Sequence, residues 1–256
     1  MKRSIGATRD ALRRLFFQRC FYLFVTLITF VAIAPFIEPA PGRLLIRNLI
    51  NAFVMLSAVA AVGRSMRSFL VVTALIVPAL VLRWLAMESN LPMYLDLSLR
   101  LDLAVYAVTI VLLLRYVFER STITADRLWG AAAVYVMIGV LWGFIFAVVD
   151  RTYPGSFAVR GTVEPLSLHD LLYFSFSTLT TTGFGDIITI SPVGKMAATL
   201  EGIFGQLFIA ILIAKLVGVY PPRVPQEEET PEESPENVAE LIRDKPAAAR
   251  ASQEAA

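Results

Sequence analysis

The chain has 256 residues, 57% of them apolar and 17% charged, where soluble domains carry roughly 45–50% and about 25%. Its net charge is +2, with one cysteine, Cys20, and one histidine, His169. This balance implies a polytopic membrane protein and gives no footing for nucleic acid. It also excludes an intrachain disulfide and a His-rich metal site, and shows no Cys–His nucleophile pair.

Residues 1–19 form a basic N-terminus with Lys2, Arg3, Arg9, Arg13, Arg14 and Arg19, and residues 9–17 fit a short helix on a membrane surface. Residues 20–37 are the first of six apolar runs. Their length and the five runs behind them argue against a cleaved signal peptide. Cys20, at a membrane boundary, reads as a buried structural thiol. The other runs, residues 44–62, 69–87, 99–118, 128–149 and 193–219, are each long enough to cross about 30 Å of hydrocarbon. Pro78 interrupts the third run and is a candidate kink. Arg83 is expected to snorkel or to pair with Glu88, and Asp96 and Asp102 to pair locally with Arg100. The basic N-terminus, Arg64 with Arg67, and Arg115 with Arg120 and Arg127 fall on one side, and Arg43 with Arg47 form a weaker cluster on the other. Six spans in a cell membrane, both termini cytoplasmic and residues 150–192 outside, fit this distribution best.

The outer segment opens on turn-rich Asp150-Arg151-Thr152-Tyr153-Pro154-Gly155. Ser167-Leu168-His169-Asp170 is a capping box, and residues 171–179 predict a helix of about three turns with His169 in its first turn. Such a helix cannot span, so it dips in and returns, which is tolerated only against protein or water. The returning limb is Thr180-Thr181-Thr182-Gly183-Phe184-Gly185-Asp186. Glycines alternating with Thr and Phe can turn successive carbonyls toward one axis, where a ring of them replaces the water around a cation. The short helix points its C-terminal end, carrying about half a negative charge, at the same path. One limb cannot surround an ion, so four copies are needed, and a homotetramer is implied. Residues 220–256 hold Pro221, Pro222, Pro225, Pro231 and Pro235 around an acidic stretch, 227–236, with a possible brief helix at 238–243. The chain thus divides into a cytoplasmic basic N-terminus (1–19), a four-helix transmembrane scaffold (20–118), a pore domain (128–219) and a disordered acidic cytoplasmic tail (220–256). The fold class is an all-α membrane protein of six transmembrane helices with a re-entrant pore helix and filter.

Ser177-Thr178-Leu179-Thr180-Thr181-Thr182-Gly183-Phe184-Gly185-Asp186, followed by Pro192, Gly194 and Gly205, resembles the potassium channel family. The resemblance is to a pore domain of the prokaryotic ion-channel type, a two-helix unit here preceded by four extra spans, and covers residues 128–219. It implies that Thr181, Thr182, Gly183 and Phe184 supply the carbonyl rings that bind K+, with the Thr181 hydroxyl closing the innermost site. Gly185 would make the exit turn of the ion-binding filter, and Asp186 would stand at the outer mouth. Gly205 falls at the inner helix's flexible glycine, although helix packing explains Gly202 and Gly205 equally well. Gln206, Ile209 and Ile213 would line the cavity. No cofactor is implied beyond permeant K+, and the partners are further copies of the chain, the bilayer and potassium ions.

Two positions depart from the family pattern. Thr182 replaces a preferred Val or Ile of nearly the same shape, adding a hydroxyl that can bond nearby. Phe184 replaces Tyr, keeping the ring but losing the phenol's hydrogen bond; Tyr173 and Phe174 offer packing instead. Lys195 is expected to snorkel to the outer interface. Glu201, an acid within the last span, is either a buried hydrogen-bonded carboxyl behind the filter or a group acting in permeation or pH sensing.

The expected function is passive, potassium-selective conduction, not an enzymatic one. The alternative is a non-selective monovalent cation channel, and a non-conducting assembly subunit is a further option. An intramembrane serine protease finds no support, because Ser175 and Ser177 lack a Gly-x-Ser-Gly-like context and His169 forms no evident dyad. The fourth run has Arg100 and Arg115 at its ends and no arginine between, and the first two runs carry no acid, so weak or no voltage gating is expected. No sensor domain is recognisable.

Overall fold

The computed structural model describes residues 19–37, 43–62, 66–89, 92–119, 124–164 and 166–219. The basic surface helix, Arg64, Arg120 and the acidic tail lie outside the described residues. Within them the elements run α1 (Arg19–Ile37), α2 (Arg43–Val62), α3 (Met66–Ser89), α4 (Pro92–Val117), α5 (Ala125–Thr152), β1 (Phe157–Val159), α6 (Leu168–Leu179), β2 (Ile187–Thr189) and α7 (Pro192–Val219).

Proline opens both α4 and α7, where its missing N–H has no helical partner to lose and its fixed φ already suits the first turn. Ser191 completes the start of α7 by accepting from the Gly194 N–H at 3.0 Å. α3 continues through Pro78 from Met66 to Ser89.

All six apolar runs are helical, and among the described residues five of the helices are long and apolar enough to cross a membrane. α2 runs over 20 residues, about 30 Å at 1.5 Å per residue, and its described apolar stretch is Asn48–Ala61.

Lipid tails are as apolar as leucine, so these helices associate through close fit and polar ties more than through water exclusion. α1 packs against α2 and α5, α3 against α4, and α4 against α5, which in turn carries α6. Leu23, Leu27, Met55, Tyr106, Met137 and Phe144 lie in one continuous core through α1, α2, α4 and α5. Cys20 is buried as expected, and its N–H donates to Asp126 Oδ1 at 3.0 Å, joining the start of α1 to that of α5.

The ion pairs correct the sequence expectation. Arg83 meets Asp102 at 2.5 Å across α3 and α4, with both side chains buried; the side chain of Glu88 lies outside the described residues. Asp96 meets Arg151 at 2.5 Å, tying α4 to α5. The local pairing of Asp96 and Asp102 with Arg100 is replaced by these interhelical pairs. The geometry of a helix explains the change at Asp102: residues two apart, as Arg100 and Asp102 are, do not face one another as those three or four apart do.

β1 and β2 pair antiparallel with Phe157 opposite Thr189, Ala158 opposite Ile188 and Val159 opposite Ile187. Beneath them Phe146, Phe157 and Phe174 meet edge to face, with centroids 5.0 to 5.8 Å apart, an arrangement aromatic quadrupoles favour. This cluster joins α5, β1 and α6, so the two limbs flanking the returning segment share one apolar base.

Candidate functional site

The short helix α6 begins at Leu168, three residues before the sequence expectation, and His169 lies in its first turn. The capping box is present in both directions. Asp170 N–H donates to Ser167 Oγ at 3.2 Å, and Ser167 N–H donates to Asp170 Oδ2 at 3.0 Å. Ser167→Ala is expected to lower stability by about 1 kcal/mol, the usual cost of a lost N-cap, read as a fall in the melting temperature of the detergent-solubilised protein.

Two glycines let α6 sit close to α5. A Cβ at Gly139 would stand 2.5 Å from the Phe176 ring, and one at Gly143 would stand 2.5 Å from Leu172 Cδ2. Their Gly-x-x-x-Gly spacing is a helix-packing signal that was readable in the sequence. Ser175 Oγ lies 2.7 Å from the Gly139 carbonyl and 2.5 Å from Glu201 Oε1, so α5, α6 and α7 meet at one hydroxyl. Glu201 is fully buried and meets Ser175, as the reading of a buried hydrogen-bonded carboxyl expects. At the end of α6 the Tyr135 hydroxyl donates to the Leu179 carbonyl at 3.4 Å.

The limb after α6 turns at alternate residues. Thr181, Gly183 and Gly185 have φ of 58°, 57° and 79°, whereas Thr182 and Phe184 do not enter the positive region. Glycine reaches this region freely, but β-branched Thr181 does so against its preference, a strain found typically at functional sites. The N–H groups of residues 181–184 all turn back to α6. Thr181 donates to the Thr178 carbonyl at 3.0 Å, and Thr182 and Gly183 both donate to the Ser177 carbonyl at 2.9 and 3.1 Å. Phe184 donates to Ser177 Oγ at 3.2 Å. Among the described residues, no hydrogen bond reaches the carbonyl oxygens of residues 181–184. The arrangement is a file of uncommitted oxygen acceptors backed by spent donors, which suits a desolvated cation.

The two departures at Thr182 and Phe184 are accommodated locally. Thr180 Oγ1 gives its proton to the Phe176 carbonyl at 2.7 Å, so at 2.8 Å the Thr182 hydroxyl donates to Thr180. Phe184 stacks on Tyr173 with centroids 5.9 Å apart and planes 10° apart, while Phe174 packs into the aromatic base. Phe184 remains 67% exposed on the single chain, beside an open cavity of about 300 Å³ lined in part by Tyr173, Ser177, Gly183 and Asp186.

Asp186 ends the limb. Its carbonyl accepts from Arg160 N–H at 2.8 Å and its Oδ1 from Ile187 N–H at 3.0 Å. On α7, Gln206, Ile209 and Ile213 share one exposed face, and Gln206 Nε2 donates to Thr181 Oγ1 at 3.4 Å. Gly205 is buried against α6, where an added Cβ would stand 2.6 Å from the Leu179 carbonyl oxygen; nothing lies within 4 Å of the same position at Gly202. α7 passes both glycines as unbroken helix. Lys195 is exposed near its start. Sequence reasoning named Ser177 without seeing that it anchors three consecutive amides, and it missed Gly139 and Gly143.

Residues 128–220 match the family described as "Ion channel". No curated protein and no solved structure gives a significant match to the chain.

Proposed function

We propose, from the premise that residues 128–220 belong to the two-span, potassium-channel-type pore family, that this chain assembles as a homotetramer that conducts K+ passively and selectively across a cell membrane. The observation carrying this reading is the limb from Thr181 to Phe184, whose amides are committed to α6 and whose carbonyls are not. Four such limbs around an axis would bind dehydrated K+ through Thr181, Thr182, Gly183 and Phe184, with Gly185 turning the chain out and Asp186 gathering cations at the mouth.

Assembly is supported by α7. This helix is long and apolar, yet only 17% of its spanning window is buried within its own chain, and the Phe184 ring is left largely uncovered. Neighbouring copies would cover both, and Gln206, Ile209 and Ile213 would then face the central cavity. The tether from Thr182 to Thr180 supports a stiff filter, and hence K+ over Na+. Weak or absent voltage gating is supported by the Arg83–Asp102 pair, which locks a scaffold arginine in place. In this reading residues 20–118 are a scaffold, and both termini are cytoplasmic.

The test is ion flux from liposomes holding the purified protein, with K+ and Na+ compared and Gly183→Ala as control. K+-favouring flux is expected, and its loss in Gly183→Ala, because a Cβ at φ 57° costs about 1–2 kcal/mol in the left-handed region. Equal Na+ flux would establish the non-selective channel instead.

A further inference from the structure

We infer that Glu201 works as a neutral acid that positions the pore helix α6, and through it the filter. The inference rests on the proposed selective channel only for its functional readout.

Proton counting at one atom leads to it. The Ser175 hydroxyl has a single proton and two close partners, the Gly139 carbonyl at 2.7 Å and Glu201 Oε1 at 2.5 Å. A carbonyl and an ionised carboxylate can both only accept, so the one Ser175 proton can satisfy either of them but not both. Both contacts are then hydrogen bonds only if Glu201 carries its own proton and donates to Ser175 Oγ. A protonated Glu201 also fits its setting. The side chain is completely buried within a single chain, no cation stands beside it among the described contacts, and its Oε2 has no hydrogen-bond partner. An ionised carboxylate there would lack the pairing that buried charge requires, whereas an acid leaves only one weak acceptor unmet.

The tie sits where it can act on conduction. Ser175 is two residues before Ser177, which holds the amides of Thr182, Gly183 and Phe184. Glu201 is one helical turn before Gly205, which packs on the last carbonyl of α6. The chain from α7 to the filter therefore runs through Glu201, Ser175 and, two residues on, Ser177. It is complete within one copy, so the pore helix is set before assembly. Glu201 touches no permeating ion in this scheme; it is a positioning residue.

The test compares wild type with Glu201→Gln, Glu201→Leu and Ser175→Ala in two readouts. One is the K+/Na+ flux ratio in liposomes; the other is hydrogen–deuterium exchange of the α6 amides in detergent, which needs no conduction. Glutamine keeps a neutral donor to Ser175 Oγ, so Glu201→Gln is expected to match wild type in both. Glu201→Leu and Ser175→Ala are expected to lower the flux ratio about tenfold, as loss of a buried hydrogen bond would, and to speed exchange across α6. Leucine matching wild type in both readouts overturns the inference. Glutamine failing as leucine does also overturns it, since charge rather than the neutral tie would then matter. If wild type itself shows no K+ preference, the proposed selectivity falls, and α6 exchange alone decides the role of Glu201.

Discussion

Gly205→Ala is expected to reduce K+ flux about 5- to 150-fold and to weaken K+/Na+ discrimination, while Gly202→Ala leaves both near wild type. The difference follows from what each new methyl group meets. At Gly205 the Cβ would stand 2.6 Å from the Leu179 carbonyl oxygen and 2.8 Å from Leu179 Cδ1, whereas at Gly202 it meets nothing within 4 Å. The obstacle at Gly205 includes backbone at the end of α6, one residue before Thr180, so it cannot be relieved by a side-chain rotation alone. Overpacking of this kind costs about 1–3 kcal/mol, which as a conformational bias corresponds to the stated range of about 5- to 150-fold. Liposome flux and reversal potentials in mixed salts check it. A glycine serving only as a hinge makes a different prediction: alanine would then slow opening and leave ion preference unchanged.

Arg83→Leu is expected to destabilise the fold by about 3–5 kcal/mol, the cost of removing one member of a buried ion pair. Asp102 is 1% exposed and its carboxylate meets the Arg83 guanidinium at 2.5 Å between α3 and α4. Removing the arginine alone takes from that buried carboxylate the cation it faces. The double substitution Arg83→Leu with Asp102→Leu removes both charges and is expected to recover most of the loss, since an apolar pair of similar volume is commonly as stable as a buried ion pair. Thermal unfolding of the single and double variants in detergent is the measurement. A double variant as unstable as the single would mean that shape, not charge, holds α3 to α4 at this point.

Much of the site was legible because the sequence marks it with local chemistry. Ser167 and Asp170 announce the start of α6, and both capping bonds form. Gly183 and Gly185 mark positions that need left-handed backbone, and both have it. Thr181 joins them at φ 58°, which residue type alone argues against, since a β-branched side chain disfavours that region. The ion pairs were misread for a related reason. Arg83, Asp96 and Asp102 were given partners close in the chain, while their actual partners are set by which helices touch, a property of tertiary packing. The three-residue strands β1 and β2 are too short to show an alternation.

Ser177 anchors three consecutive amides of the returning limb, two on its carbonyl and one on its hydroxyl, and Thr178 takes the amide before them. Each of those N–H groups is a donor that a chloride ion would need in place of its lost water. With all four turned toward α6, an anion reaching residues 181–184 meets only oxygen lone pairs, while a cation finds acceptors throughout. In the proposed channel, discrimination by sign would therefore follow within a single chain from the direction of four backbone hydrogens, before ion size or the number of assembled copies enters.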